Sequence, residues 1–311
     1  MKCSNCSKTA VTFLRYSGAH LCQEHFLDSV KHRVKREIRN QIAGTRPTKL
    51  AIALSGGKDS TVVTILTKEI LGQRRDLTLE AITIDEGIEG YRPPSLAFSR
   101  ELCADLGIPQ HIVSFKEAFG HSIDEVVTLD PGSIPCSYCG VFRRTLLNRR
   151  AREIGADYLI TGLNLDDTAQ SVLMNVFRAE PFRLARIGPH EHVLPGMVPR
   201  LQPLRVIPEK EVYLYALLRG IRFHNDTCPN ASRSMRSTVQ EMVHVMEERS
   251  PGTRHSILSF ADGLRPHLTP ENKRGNLFRC QACGDPTSQT TCQACQLQAS
   301  LSARKADPIR S

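Results

Sequence analysis

The sequence of 311 residues lacks the features that direct a chain into or across a membrane. It has no apolar run long enough to span a bilayer, and its first residues do not follow the pattern of a signal peptide. It also lacks tryptophan, and its 32 acidic residues are outnumbered by 41 Lys and Arg, which gives a net charge of +9. We therefore expect a cytoplasmic, soluble protein with no membrane partner, and the positive charge favours a polyanionic partner.

The positive charge is concentrated near the N-terminus, where residues 1–49 hold ten Lys and Arg against three acidic residues. A run of charge is often only a solvated face, so charge alone leaves nucleic-acid binding undecided. The central part of the chain shows no internal repeat. The length allows one core of ordinary size and one or two small accessory modules.

Eleven cysteines in a cytoplasmic chain indicate metal binding or catalysis, because a reducing compartment disfavours disulfides. Two sets have the spacing of structural zinc sites, Cys-x2-Cys-x15-Cys-x2-His and Cys-x2-Cys-x8-Cys-x2-Cys. Four ligands leave no open position, and each module has so few apolar residues that metal binding would drive its folding. The predicted zinc ligands are Cys3, Cys6, Cys22 and His25, and Cys280, Cys283, Cys292 and Cys295.

Of the other four cysteines, one is predicted to lie in the core and three are candidates for a functional centre. Cys103 lies in a helix-periodic apolar stretch and is predicted to be a buried core residue. Cys136 and Cys139 open a basic helix, and Cys228 stands far downstream. Thiols near a helix N-terminus and near arginines are expected to have a lowered pKa, which makes them good ligands or nucleophiles.

Three cysteines are one short of a closed site, which leaves two interpretations. One is a third zinc ion, completed by His224 or His121. The other is a reactive centre with an open position, such as a [4Fe–4S] cluster whose fourth iron could hold an exogenous sulfide.

The most informative segment is residues 50–60, where an apolar run ends in Ser-Gly-Gly-Lys-Asp-Ser and a helix-periodic stretch follows. A strand that leads through a glycine turn into a helix presents unpaired N–H groups to an anion. The two glycines are adjacent, so this is not a Walker A motif, and a plain turn is the less favoured alternative. We expect an exposed turn that binds phosphate through Ser55, Gly56, Gly57, Lys58, Asp59 and Ser60.

Strand-like runs (50–54, 79–84, 111–113, 158–161) alternate with helix-like runs (60–71, 95–106, 142–154, 168–177). This alternation predicts an α/β fold with a doubly wound parallel sheet and small zinc-binding modules at both ends. Helices are also predicted at 27–42, 209–218 and 237–248, and a long surface loop at 178–208. The predicted divisions are 1–26 (zinc module), 27–47 (basic helix and linker), 48–265 (core domain), 266–299 (linker and zinc module) and 300–311 (disordered tail).

The glycine turn, the three separate cysteines and the two zinc sets together resemble the PP-loop ATP pyrophosphatases that make 2-thiouridine in tRNA, the TtcA/TtuA superfamily. The likeness is to the branch with zinc fingers at both ends, which includes archaeal and eukaryotic cytoplasmic U34 thiolases and a thermophile U54 thiolase. Residues 162–167, Gly-Leu-Asn-Leu-Asp-Asp, match that family's Gly-His-Asn-Leu-Asp-Asp, with Leu163 in place of the usual histidine. Residues 85–92 resemble the family's segment after the second strand.

The resemblance implies a reaction in two steps. ATP binds with its phosphates on the glycine turn and its adenine near Ile84 and Gly162, and a uridine C2 oxygen attacks the α-phosphorus and releases pyrophosphate. Sulfide held on a [4Fe–4S] cluster then displaces AMP. The implied cluster ligands are Cys136, Cys139 and Cys228.

The chemistry of the residues fits these implied roles. Lys58 and Mg²⁺ would neutralise the leaving pyrophosphate, and Asp59 could help to hold the metal. Asp167 is the candidate that positions or deprotonates the reacting group, with Arg143 as electrostatic support beside the cluster. Asp166 and Asp167 have an alternative role as N-caps of the helix that follows.

Two other functions remain as alternatives. One is another PP-loop ligase, similar to a lysidine synthetase or an amidotransferase synthetase, but such enzymes need no three-cysteine centre. The other is a non-catalytic zinc protein that binds RNA, in which the PP-loop would be idle. The resemblance implies tRNA as substrate, sulfide or a ubiquitin-like carrier as sulfur donor, and a homodimer as one option.

Overall fold

The computed structural model describes residues 1–42, 48–188, 195–230, 235–268 and 278–306. The end of the 27–47 segment, most of the linker before the second zinc set and residues 307–311 lie outside the described residues. The prediction of a disordered tail is wrong for residues 300–306, which belong to the last helix, where Leu301 is fully buried. The elements in chain order are β1 (Thr12–Leu14), β2 (Ala19–Leu21), α1 (Gln23–Gln41), β3 (Thr48–Ala53), α2 (Lys58–Leu71), β4 (Leu77–Asp85), α3 (Arg92–Leu106), β5 (Gln110–Ser114), α4 (Phe115–Phe119), α5 (Ile123–Leu129), α6 (Pro135–Glu153), β6 (Tyr158–Ile160), α7 (Leu165–Phe177), α8 (Pro181–Leu184), β7 (Arg200–Leu201), α9 (Glu209–Leu218), α10 (Met235–Arg249), α11 (Thr253–Leu268), β8 (Phe278–Arg279), β9 (Pro286–Thr287) and α12 (Gln293–Ala306).

The central sheet has five parallel strands in the order β5-β4-β3-β6-β7, which confirms the predicted doubly wound fold. Because β3 lies between β4 and β6, the strand order reverses beside its carboxyl end, and ligands of such sheets bind at this point. No helix among the described residues is both long enough and apolar enough to cross a bilayer.

Alternate residues of β3 face two separate cores. Leu50 and Ile52 pack with α1, α2 and α9, whereas Ala51 packs with α6 on the opposite face. Cys103 is buried in a third, smaller cluster, as predicted, and burial raises the pKa of its thiol to about 11.

The prediction of one long surface loop over residues 178–208 is wrong. This stretch contains α8 and the edge strand β7, and the backbone N–H of Thr161 donates to the Leu201 carbonyl at 3.0 Å. Leu184, Val198 and Leu201 are buried, since the apolar residues of this Pro- and Arg-rich stretch close the edge of the core. Residues 189–194 lie outside the described part.

Each terminal module consists of a two-stranded hairpin followed by a helix, β1–β2 with α1 and β8–β9 with α12. The basic helix α1 is not a free arm, because Phe26, Val30 and Val34 are fully buried in the first core. The C-terminal module docks on α6, where Arg149 lies 2.7 Å from Asp285. The two modules therefore pack against opposite faces of the central sheet.

Candidate active site at the carboxyl ends of the strands

The predicted anion-binding turn lies at the carboxyl end of β3. Among the described residues no side chain caps the start of α2, so the first N–H groups of this helix are available to an anion. The hydroxyl oxygens of Ser55 and Ser60 lie 3.0 Å apart, and the N–H of Gly57 donates to Ser55 Oγ at 3.3 Å. The turn therefore presents hydroxyl and N–H donors to one small volume.

Two glycines allow the backbones to approach closely here. Gly56 has φ of +86°, and a Cβ on it would lie 2.6 Å from the Ser95 carbonyl oxygen. Gly162 follows β6, and a Cβ there would lie 2.9 Å from the backbone nitrogen of Ser60. Larger side chains would push the neighbouring backbones apart, so both positions need glycine.

Lys58 does not lie on an exposed turn as predicted. It is the first residue of α2, its side chain is only 13% exposed, and its Nζ lies 2.8 Å from Glu209 Oε1. The reason is that α9 packs across α2 and covers the lysine. Asp59 accepts a hydrogen bond from Asn164 Nδ2 at 3.1 Å, and burial raises the pKa of its carboxyl.

The interpretation of Asp166 and Asp167 as N-caps is wrong, because Asn164 is the N-cap of α7, but Asp167 takes part in its capping box. Asn164 is the N-cap of α7 and accepts from the N–H of Asp167 at 3.0 Å, while Asp167 Oδ2 accepts from the N–H of Asn164, which completes a capping box. Asp166 has a different role. It accepts from the backbone N–H of Glu209 and lies 2.6 Å from Arg254.

The carboxyl group of Asp167 is suited to acid–base chemistry near neutral pH. Burial raises the pKa of Asp167 to about 6, although the guanidinium of Arg236, 3.3 Å away, works in the opposite direction. A carboxyl group with this pKa can accept a proton at pH 7 more readily than an ordinary aspartate.

Ile84, predicted beside the adenine, is the next-to-last residue of β4. Its side chain is buried, and its carbonyl accepts a hydrogen bond from Arg92. Ile84 and Gly162 thus lie near the carboxyl ends of the two strands that flank β3, on either side of the turn.

Three of the four cysteines outside the zinc sets converge beside the turn. Cys136 and Cys139 lie in the first turns of α6 and open this helix as predicted. The helix begins seven residues before the helix-like run at 142–154, because Pro135 suits the first helical position. The Sγ of Cys136 lies 3.4 Å from the Asn230 carbonyl, two residues after Cys228. Cys139 and Cys228 are both half-buried against the second core.

The loop that carries Cys228 is attached to the anion-binding turn. The backbone N–H of His224 donates to the Gly56 carbonyl at 2.9 Å, and Gly57 and His224 form an isolated parallel bridge. The cysteine centre and the turn are therefore adjoining parts of one site.

The expected lowering of the thiol pKa is wrong for Cys139. Burial raises the pKa of this thiol, and the charges of Glu86, Cys136 and Cys228 act in the same direction. Arg143 opposes this effect, and its Nη2 donates to Cys139 Sγ at 3.2 Å, but one cation does not outweigh burial.

A buried carboxylate that sequence reasoning missed lies between the two halves of the site. Glu86 is 3% exposed, with Oε2 at 2.8 Å from Arg92 Nε and Oε1 at 2.8 Å from Arg143 Nη2. Arg92 also donates to the Ser55 carbonyl at 2.9 Å. The only sequence signal for this network was that residues 85–92 resemble a family segment.

The predicted zinc ligands come together in both modules. In each set the four ligand atoms lie within 4.8 Å of one another. His25 Nδ1 is 3.5 Å from Cys3 Sγ and 3.3 Å from Cys22 Sγ. Zn–S bonds of about 2.3 Å in a tetrahedron place sulfurs about 3.8 Å apart, so these donors fit zinc.

The sulfur atoms in the zinc sets have the spacing that a metal requires, and at least one thiol in each set has a lowered pKa. Cys6 and Cys22 Sγ are 3.8 Å apart, and Cys283 and Cys292 Sγ are 3.7 Å apart. Burial opposes ionisation of Cys3, but hydrogen bonds from backbone N–H groups outweigh it and lower the pKa of this thiol to about 6. A thiolate is the form that binds zinc.

The structure does not favour a third zinc ion. In the described part of the chain, only the two zinc sets bring three or more candidate ligand atoms within 4.8 Å of one another. His224, one proposed fourth ligand, places Nε2 3.0 Å from Asp226 and packs its ring against Tyr91. Three thiolates bound to three different irons of a cluster stand farther apart than thiolates on one ion, so this donor set fits a cluster better.

Comparison with protein families finds two models that match the chain. A PP-loop domain matches residues 30–246, and the N-terminal LIM domain of 2-thiouridine synthetase TtuA matches residues 2–27. Together they span the first zinc set, the anion-binding turn and the three-cysteine centre.

Similar proteins cover nearly the whole chain. The tRNA 2-thiolation protein NcsA of Haloferax volcanii is 42% identical, over 97% of this chain and all of that protein. The tRNA-5-methyluridine(54) 2-sulfurtransferase of Pyrococcus horikoshii is 33% identical over 95% and 93%. The cytoplasmic tRNA 2-thiolation protein 1 of Caenorhabditis elegans is 34% identical over 98% and 81%.

A solved structure is similar throughout. The U34-tRNA thiolase NcsA from Methanococcus maripaludis, determined with its [4Fe-4S] cluster, has a TM-score of 0.84 and 36% identity, with 97% of this chain and 96% of that chain covered.

Proposed function

Because this chain belongs to the PP-loop family of tRNA 2-thiolation enzymes, it catalyses ATP-dependent thiolation of tRNA, and we propose that it converts a uridine to 2-thiouridine in two steps at the site described above. One observation carries the proposal. The loop with Cys228 is hydrogen-bonded to the anion-binding turn, so a nucleotide and a sulfur centre can act on one bound base.

In the first step the uridine C2 oxygen attacks the α-phosphorus of ATP and pyrophosphate leaves. The N–H groups of the turn and the hydroxyls of Ser55 and Ser60 would hold the phosphates. Lys58, now paired with Glu209, would turn to the leaving pyrophosphate, and Asp59 would help to hold Mg²⁺. Asp167 would position or deprotonate the reacting group.

In the second step a sulfur nucleophile attacks C2, and AMP leaves. A [4Fe–4S] cluster held by Cys136, Cys139 and Cys228 would supply one iron without a protein ligand, at which an exogenous sulfide can bind. Arg143 touches Cys139 and would stabilise the negative charge that collects there. Cys139 and Cys228 are half-buried, which would limit the access of water to the activated base, whereas Cys136 is exposed.

Basic side chains beside the cysteine centre support a tRNA substrate. Arg144 is exposed, has no carboxylate partner among the described residues, and packs beside Gly140. Although the residue is exposed, the protein packed around its side chain and the nearby charges of Arg143 and Arg183 lower the pKa of Arg144, which a phosphate would reverse. Family resemblance supports the remainder of the proposal, which is a cytoplasmic location, sulfide or a ubiquitin-like carrier as sulfur donor, and a homodimer.

The test is reconstitution. Anaerobically prepared protein is incubated with unmodified tRNA, MgATP and sulfide, and the digested nucleosides are analysed by mass spectrometry. We expect 2-thiouridine together with pyrophosphate and AMP. Pyrophosphate release without any thionucleoside under strictly anaerobic conditions, with iron bound, would favour the ligase alternative.

A further inference from the structure

Glu86 is a buried carboxylate with two cationic partners that belong to different halves of the site. It follows directly after β4, and its two oxygens point to different arginines. Every described contact of this side chain is therefore a link between elements, and Glu86 takes no direct part in the chemistry proposed above.

One partner fixes the nucleotide side. Arg92, the first residue of α3, is 3% exposed and donates to the carbonyls of Ser55 and Ile84 and to the hydroxyl of Ser95. The Ser95 carbonyl is the atom that prevents a Cβ on Gly56. Arg92 thus fixes the position of the anion-binding turn relative to the carboxyl end of β4.

The other partner fixes the sulfur side. Arg143 contacts Glu86 Oε1 and Cys139 Sγ with the same Nη2 atom, at 2.8 Å and 3.2 Å. A continuous chain of polar contacts therefore runs from Ser55 through Arg92, Glu86 and Arg143 to Cys139.

We propose that Glu86 is a positioning residue that holds the anion-binding turn and the cysteine centre in a fixed relative position. In this arrangement the adenylated uridine reacts with sulfur faster than with water. The inference rests on the proposed function. If this relative position is lost, water can attack C2 of the activated base, which restores the uridine oxygen and releases AMP. Adenylation would then continue while thiolation fails.

The experiment measures the ratio of 2-thiouridine formed to pyrophosphate released, in the cluster-loaded enzyme with tRNA, for wild type and Glu86→Gln. Glutamine keeps the length of the side chain but removes the charge that holds two guanidinium groups. We expect the ratio to fall at least tenfold. In cluster-free protein, the affinity for ATP measured by calorimetry should change less than threefold.

A second variant and a control keep the result interpretable. Glu86→Asp retains the charge that offsets the two arginines but is one methylene too short to reach both. This variant should fold, and its ratio of 2-thiouridine to pyrophosphate should also fall. Glu89→Gln, an exposed carboxylate in the same loop, should match wild type.

The outcomes separate the two hypotheses. A wild-type enzyme that makes no thionucleoside contradicts the proposed function. A wild type that thiolates, with Glu86 variants that keep its ratio, overturns the positioning role. A proportional loss of pyrophosphate and thionucleoside, or a large loss of ATP affinity in cluster-free protein, would mean that Glu86 only supports the fold, and would also overturn it.

Discussion

Asp167 illustrates how burial changes the acidity of a single carboxyl group. Its pKa is raised by burial to about 6, from an ordinary value of 3.8, so the folded chain binds this proton more tightly than the unfolded chain. Ionisation of Asp167 therefore costs folding stability. The cost grows as the pH rises from about 4 to 6 and is constant above that.

Asp167→Asn is expected to be more stable than wild type at pH 7.5 and almost inactive. Removal of the buried charge should raise the free energy of unfolding by about 2 kcal/mol, which is below the full linkage value because the side chain is 31% exposed. Asparagine can still accept the capping hydrogen bond. Urea unfolding at several pH values and tRNA thiolation assays test both parts.

Wild-type thiolation should also decline as the pH falls through about 6, because the carboxylate becomes protonated. An Asp167→Asn variant with the pH profile and rate of wild type would refute the base role. A stability gain that is equal at pH 4 and pH 7.5 would refute the pKa argument.

Lys58→Ala is expected to abolish adenylation with little effect on folding. In the proposed mechanism the lysine neutralises the phosphates of ATP, so its loss should reduce pyrophosphate release at least about a hundredfold. Its partner Glu209 is 44% exposed and can be hydrated, so the stability change should stay below about 1 kcal/mol. Pyrophosphate release with tRNA present, together with thermal unfolding, measures both.

Lys68→Ala provides a control in the last turn of the same helix. This variant should release pyrophosphate at the wild-type rate. If Lys58→Ala keeps near-normal turnover, the assignment of ATP phosphates to this turn is wrong.

At the scale of elements, the sequence predicted the strands and helices around the site but not their contacts. The Ser-Gly-Gly-Lys-Asp-Ser turn was predictable because strand, glycines and helix are consecutive in the chain. Glu86 was not, because its arginine partners lie on α3 and α6, and only tertiary packing shows that they meet. The edge strand β7 was also missed, because two residues in a Pro- and Arg-rich stretch carry almost no periodic signal.

The close approach of Gly162, two residues after β6, to the first turn of α2 leads to a prediction. In Gly162→Ala, the new Cβ would lie 2.9 Å from the Ser60 backbone, and neither backbone can move without displacing the turn. We expect a loss of about 1–3 kcal/mol in stability and at least tenfold weaker ATP binding, by urea unfolding and calorimetry.

Gly263→Ala is the matched change, since this glycine lies inside α11 with nothing within 4 Å of its Cβ position. It should stabilise the chain by about 0.5–1 kcal/mol and leave ATP binding unchanged. Equal behaviour of the two variants would contradict the close approach at Gly162.

At the scale of the whole molecule, the zinc modules are parts of the two cores rather than appendages. Cys280 and Cys292 are buried in the second core with residues of α6. We expect two zinc ions per chain in wild type and one in Cys280→Ser, as measured by metal analysis. Loss of the ion should unfold the C-terminal module and expose it to proteolysis. It should weaken tRNA binding more than ATP binding, because the anion-binding turn follows β3 and is not part of that module.

The single-site comparison is Gln281→Ser, which changes the neighbouring exposed side chain. It should retain two zinc ions and the wild-type protease pattern. Cleavage of Cys280→Ser at the wild-type rate would show that the module folds without its metal.

The contact between α1 and α9 has a consequence for how the chain is made. Arg33 and Glu211, which join these helices, are 178 residues apart, so ribosomes that add about 5–20 residues per second need on the order of ten seconds or more to produce the partner. During that interval α9 is not yet present to pack against the apolar face of α1, which includes Phe26, Val30 and Val34. A nascent chain stalled before α9 should therefore recruit chaperones through its N-terminal helix, and release of the full length should end that association.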